Sequence, residues 1–341
     1  EASVPLAYGV TSNLDNSMWS QDVFPAAEMI EAGVLIGSRT YSSGDPLYAG
    51  DGPRQNELTS YKITEDNIKR LVSWGAVSLK QYMQPQRKQR QWVSDVARKQ
   101  GLMVTAEGVD LNYNLSMIMD GQTAWEHPIS YMPMYSDAAK FFGKAKTVYS
   151  PTFMVGGSGP WNDEYFFAQS EVWKDKKLRL WIPWQQLIPH SRRRELRPET
   201  DYSYPFLAQV LADIMAEGGH GAIGSHGQQH GIASHWEVWV AASAMGPMGA
   251  LELGTNEGAY FLGAQNDVGS LAKGKLADLI VLNSNPLDDI KNTLDIKYVM
   301  KGGILYDGFN LDEIWPEKKK YGERPWINED ALRQDSRSIN N

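Results

Sequence analysis

The chain has no cysteine in its 341 residues, which excludes disulfides, thiolate nucleophiles and cysteine-ligated zinc while leaving the compartment open. No apolar run approaches the about 18 residues that a membrane-spanning helix requires. Positive charge is short: 33 Lys and Arg stand against 41 Asp and Glu, a net charge of -8. Apart from Ser191-Arg-Arg-Arg194 there is no basic stripe to attract a phosphate backbone, so nucleic acid is not an expected partner. No G-x-S-x-G elbow occurs. The glycine-rich Gly156-Gly-Ser-Gly159 has neither the strand-to-helix setting of a serine nucleophile nor the lysine that follows a phosphate loop.

What remains is a folded α/β chain. Apolar residues make up 42%, enough to bury a sizeable core, and the length suits one large domain with an appendage. Short apolar runs alternate with amphipathic segments. Strands are expected near residues 7, 35, 77, 103, 124, 148 and 222, with helices between them, several closed by glycine (Gly33, Gly75, Gly101). Alternating β and α units imply right-handed crossovers and a parallel sheet. A closed (β/α)8 barrel of the TIM type needs eight strands; the expected seven leave it one unit short, and the missing unit belongs at the N-terminus. Between Val155 and Tyr204 the period fails and aromatic residues accumulate, which reads either as a wall for a pocket or as a packing arm. The domains expected are a barrel over 1–262, a small β-sandwich portion over 263–310 and a loosely ordered tail over 311–341.

The densest chemistry lies in Gly221-Ala-Ile-Gly-Ser-His226-Gly-Gln-Gln-His230-Gly-Ile-Ala-Ser-His235-Trp-Glu237, which gathers three of the six histidines. It reads as strand, histidine-bearing loop and helix start, with Ser234 and Glu237 forming an S-x-x-E capping box. At the ends of other strands stand Lys80, Glu107 and His127. In a barrel these side chains would share the carboxyl-end rim, where such folds place their chemistry. His127, His226 and Glu107 offer the imidazole and carboxylate donors of a borderline cation such as zinc. Plainer readings stand beside this: Lys80 as an anchor paired to a carboxylate, Glu107 as a helix cap, Glu126-His127 as a surface pair.

Several stretches together resemble the amidohydrolase superfamily, in its imidazolonepropionase and prolidase-like branch. Gly269-Ser-Leu-Ala-Lys-Gly-Lys-Leu-Ala-Asp-Leu-Ile-Val-Leu-Asn-Ser-Asn-Pro-Leu287 is similar to the family's C-terminal signature, and Val299-Met-Lys-Gly-Gly-Ile-Leu-Tyr306 to its final β segment. Val77-Ser-Leu-Lys80, Glu107-Gly108, Asp120 to His127, Ser225-His-Gly-Gln228 and His235 to Trp239 resemble members in which a TolB-like β-propeller precedes the barrel.

The resemblance implies a (β/α) barrel with a small β-sandwich, and hydrolysis of an amide, cyclic amide or peptide bond by a metal-activated water. It places Lys80, Glu107, His127 and His226 as metal ligands, with Lys80 bridging if carboxylated. The metal implied is divalent, zinc first, with manganese or iron as alternatives. His226 and His235 are the expected catalytic residues, and Tyr82, Trp161 and His230 are assigned to a small-molecule or short-peptide substrate. Two departures stand out: the strand-one His-x-His has no counterpart, the chain beginning just after its place, and His226 stands where most members have Asp. The competing expectation is a non-catalytic barrel kept as a binding or assembly module. The expected setting includes a preceding propeller, a homo-oligomer, and a periplasmic or secreted location slightly ahead of a cytoplasmic one.

Overall fold

The computed structural model describes residues 2–50, 57–129, 133–157, 159–191, 195–324 and 326–327. Arg192–Arg194 of the basic cluster, Ser158 of the glycine-rich stretch, Pro325 and the chain from 328 onward lie outside the described residues.

Among the described residues seven parallel strands carry the fold: β1 (Ser12–Asp15), β2 (Arg39–Ser42), β3 (Ser78–Lys80), β4 (Met103–Glu107), β5 (Ala124–Glu126), β6 (Val148–Ser150) and β7 (His220–Gly221). β1 pairs with β2, and β3 to β7 form a five-stranded sheet in sequence order. The Val77 N–H donating to the Ser42 carbonyl at 3.0 Å joins the two sets. Helices Tyr61–Ser73, Arg87–Gln100, Leu111–Met119, Ser136–Lys144 and Tyr204–Ala216 lie between successive strands. Among the described residues no helix is long and apolar enough to cross a membrane.

Along β3, β5 and β6 every residue is buried and the side chains alternate between two faces, as a parallel sheet under helices requires. Leu79 and Val104 join the layer of helix Arg87–Gln100, and Ala106, Trp125 and Tyr149 face the main core. Ser78, Lys80, Thr105, Ala124, Glu126 and Ser150 take the opposite parity and are buried as well. The polar members of that face have no helix to meet, so they point where only other polar side chains or a ligand can satisfy them.

Two of the expected strands lie elsewhere. The apolar run Leu6–Val10 is not a strand: Ser3–Ala7 is a helix and β1 begins at Ser12. An apolar run shows burial but not period, and Pro5 is at ease in a first helical turn, where its missing N–H costs nothing. The strand expected over Val34–Tyr41 starts only at Arg39, with Val34 66% exposed in the turn that closes helix Ser20–Glu31. The Ser234/Glu237 capping box is also overturned. The helix runs Ile232–Glu252 with Gly231 at its N-cap, so Glu237 sits well inside it and is fully buried.

The described residues between 155 and 204 include the short helices Asn162–Gln169, Lys176–Trp181 and Trp184–Ser191. Phe166, Phe167 and Trp181 are buried in the main core, and Phe166 stacks on Trp236 with ring centroids 5.3 Å apart. The segment thus packs as an arm, while Trp161 at its start is 49% exposed.

The appendage is an antiparallel sheet of β8 (Leu279–Leu282), β9 (Ile296–Lys301), β10 (Ile304–Asp307) and β11 (Glu313–Trp315), in the order β11-β10-β9-β8. Gly302 and Gly303, both at positive φ, make the two-residue hairpin that matches strand twist. β11 falls within the stretch expected to be a loose tail; it pairs with β10. Arg39 ties this sheet to the barrel by an ion pair to Asp278 at 2.6 Å, both side chains buried.

Candidate active site

The strand ends place Lys80, Glu107 and Glu126 on adjacent strands, with Glu107 opposite Glu126 in the β4–β5 register. The Lys80 Nζ donates to Glu126 Oε2 at 2.9 Å and lies 3.1 Å from Glu107 Oε1. Asn16, just past β1, donates from Nδ2 to Glu126 Oε1 at 2.6 Å. Burial alone would lower the Lys80 ammonium's pKa, but the two carboxylates outweigh it and hold it above the usual lysine value. Burial pushes both carboxyls up; in Glu126 it prevails over the pull of Lys80, whereas in the half-buried Glu107 Lys80 prevails and holds the carboxyl below its usual value. Tyr82 reaches the same carboxylate of Glu107 and also packs edge-on against Tyr48, 5.0 Å between centroids.

His127 follows β5 directly and adopts φ 67, as Thr152 after β6 does at 47 and His226 beyond β7 at 54. Left-handed backbone is uncommon outside glycine, and its recurrence at three neighbouring strand ends marks a place where the chain holds side chains against local preference. The His127 Nδ1 lies 2.8 Å from Thr152 Oγ1, and that hydroxyl donates to the Pro151 carbonyl at 2.7 Å. With its one hydrogen so used, Thr152 accepts from Nδ1–H, which leaves the lone pair of the neutral ring on Nε2. Burial lowers His127 to about 4 in spite of Glu107, so the ring is neutral at neutral pH. Its Nε2 stands 3.8 Å from Glu107 Oε1.

The four side chains assigned to a metal are therefore neighbours: Lys80 touches Glu107, Glu107 faces His127, and the His127 and His226 rings meet edge-on at 4.9 Å. His226 lies five residues beyond the end of β7 rather than on it, and it is exposed. Tyr82 belongs to the same group through Glu107. The other assigned residues make their contacts elsewhere. His230 is exposed, with its ring over Gly227. His235 is buried, its Nε2 3.0 Å from the Tyr8 carbonyl, and burial lowers it to about 4. Trp161 stands at the head of the packing arm.

Four residues of the rim escaped sequence reasoning: Glu126, Thr152, Asn16 and Glu237. Glu126 had a signal, being a charged residue on the inward parity of an apolar strand. Glu237 accepts from the Met154 N–H at 2.8 Å, with the Phe153 and Gly224 amides also near it, and burial raises its carboxyl to about 8. It thereby joins the loop that carries Thr152 to the one that leads to His226.

The donor set does not fit the divalent ion implied by the resemblance. Among the described residues no group of three or more His, Asp or Glu side chains is arranged to hold a metal ion, and the cation between Glu107 and Glu126 is the ammonium of Lys80.

Residues 208–305 match the sequence profile of the amidohydrolase family. No curated protein sequence matches the chain. Among solved structures, a Xaa-Pro dipeptidase with bound methionine is similar at TM-score 0.66 and 20% identity, over 90% of this chain and 77% of that one. A putative prolidase from Bifidobacterium longum gives 0.64 and 20%, over 98% and 79%, and an A. niger ochratoxinase 0.65 and 20%, over 95% and 75%. At these identities the likeness establishes the amidohydrolase fold, consistent with the parallel-strand architecture and the C-terminal signature.

Proposed function

We propose that the chain is a hydrolase of carbon–nitrogen bonds, acting on an amide, cyclic amide or short peptide at the rim of Lys80, Glu107, His127 and His226. The observation that carries this reading is the pair His127 Nε2 and Glu107 Oε1, two acceptors 3.8 Å apart at the carboxyl ends of adjacent strands. One water donating a hydrogen to each would be held there, since a single water bridges polar groups too far apart to bond directly. His127, neutral and fixed by Thr152, takes the water's proton as it attacks the carbonyl, and Glu107 stabilises the imidazolium that results. The same imidazolium returns the proton to the leaving nitrogen. Lys80 keeps Glu107 ionised and in place. The amidohydrolase profile and the dipeptidase, prolidase and ochratoxinase likenesses support the choice of bond.

The test is turnover by the purified chain on Xaa-Pro dipeptides, N-acyl amino acids and cyclic amides. His127→Gln and Glu107→Gln are each expected to lower kcat/KM by about 10²- to 10⁴-fold, the usual worth of a positioned acid or base. Turnover unchanged in both variants would remove the assignment. A second reading, a non-catalytic amidohydrolase-fold binding module, is favoured by one observation: the two carboxylates at the rim are already engaged internally by Lys80. Saturable binding of a panel member without turnover would decide for it.

A further inference from the structure

Glu107 and Glu126 face each other across β4 and β5, and two carboxylates side by side on one face of a sheet repel unless a cation lies between them. The Lys80 Nζ is in that position, 3.1 Å from one carboxylate and 2.9 Å from the other. Its side chain is 5% exposed, so the contact is a fixture of the interior rather than a surface pair. Glu126 has a partner on each oxygen, Lys80 on Oε2 and Asn16 on Oε1. A divalent ion binds carboxylate oxygens at about 2.0–2.6 Å; to reach these it would have to displace the ammonium or sit beside it.

We propose that Lys80 is the built-in cation of this site: its ammonium joins Glu107 and Glu126 where a divalent ion would otherwise do so, and the folded chain holds the pair without metal. The inference concerns the rim of the proposed hydrolysis but is read by metal binding. Failure to find a substrate leaves it standing, and finding a metal leaves the hydrolase reading standing.

The experiment uses the full chain, equilibrated with Mn²⁺ or Zn²⁺ and freed of excess by gel filtration. Elemental analysis is expected to find far less than one ion per chain, and native mass spectrometry no carboxyl adduct on Lys80. Lys80→Met removes the charge while keeping a long unbranched side chain. That variant leaves the facing Glu107 and Glu126 carboxylates without their cation, and its Mn²⁺ affinity is expected to exceed that of the wild type at least about tenfold, since carboxylate oxygens suit that ion. Lys80→Met/Glu126→Gln is expected to lose the gain. One ion per wild-type chain, a carboxylated Lys80, or a folded Lys80→Met that binds no more tightly than the wild type overturns the proposal. If Lys80→Met does not fold, the wild-type ion count decides alone: well under one supports the built-in cation and one refutes it.

Discussion

Replacing Glu237 by Gln should make the protein more stable at alkaline pH and leave it nearly unchanged at acid pH. Glu237 is fully buried; burial raises its carboxyl from 4.5 to about 8, against the opposing pull of the Met154, Phe153 and Gly224 amides. The folded state therefore holds a proton that the unfolded chain has released at every pH between those two values. Stability is lost as pH rises through that window. At about 1.4 kcal/mol per pH unit, tapering as the folded pKa is reached, the loss from pH 5.5 to pH 8 is about 3 kcal/mol. Gln keeps an oxygen to accept the Met154 N–H, and its amide nitrogen stands where Oε2 has no hydrogen-bond partner. Protonated Glu leaves a comparable donor there, so below about pH 4.5, where both states hold the proton, the two proteins should agree within about 1 kcal/mol, the worth of a single hydrogen bond, and by pH 5.5 ionisation of the unfolded chain should already have opened a gap of about 1.4 kcal/mol in favour of Gln. Denaturant unfolding followed by fluorescence of the 12 tryptophans at both pH values gives the comparison, and the common background of other titrating groups cancels in the difference. A stability gap between Gln and Glu that stays flat with pH, or widens toward acid, would refute the account of a neutral buried carboxyl.

Other positions give sharp outcomes. Lys177, lowered by burial to about 8 in spite of Asp175 and Asp307 and lying 4.5 Å over the Tyr8 ring, should be acylated by a trace of acetic anhydride with a midpoint well below the about 10.4 of ordinary lysines; peptide mass spectrometry against exposed Lys140 checks it. Gly231→Ala forces a Cβ to 2.3 Å from Tyr8 Cδ2 at φ 87, so calorimetry should show a loss of about 2 kcal/mol or more. Arg39→Ala strands Asp278, whose side chain is 4% exposed, and should cost about 3 kcal/mol, as for one partner of a buried ion pair.

Most of the architecture could be read from the sequence because period and punctuation agree. Helix Arg87–Gln100 ends at Gly101, which takes the left-handed conformation of a C-cap, and the Gly302-Gly303 hairpin has no other comfortable geometry. The misplacements at Leu6–Val10 and Val34–Tyr41 have one cause. A run of apolar residues shows that a segment is buried, and in a chain where helices and strands are both buried that does not distinguish them.

The site divides along a different line. Lys80, Glu107 and His127 stand at the ends of apolar runs, so the change of character draws the eye to them. Glu126 ends β5 in the same way but is followed at once by His127, and reading the two as a surface pair assumes that neighbours in sequence share a surface. In a strand they cannot: consecutive side chains leave on opposite faces. Parity settles the matter, since Ala124 and Glu126 lie on the face that Lys80 and Ser78 share through the register of β3, β4 and β5. His127 escapes that alternation only by turning left-handed, and no sequence pattern announces such a turn in a residue other than glycine. Asn16 and Glu126, bonded across 110 positions, and Glu237 and Met154, across 83, depend on assembly of elements far apart in the chain. Such partners become visible only once the sheet is assembled, and they are the ones that fix where the legible residues point.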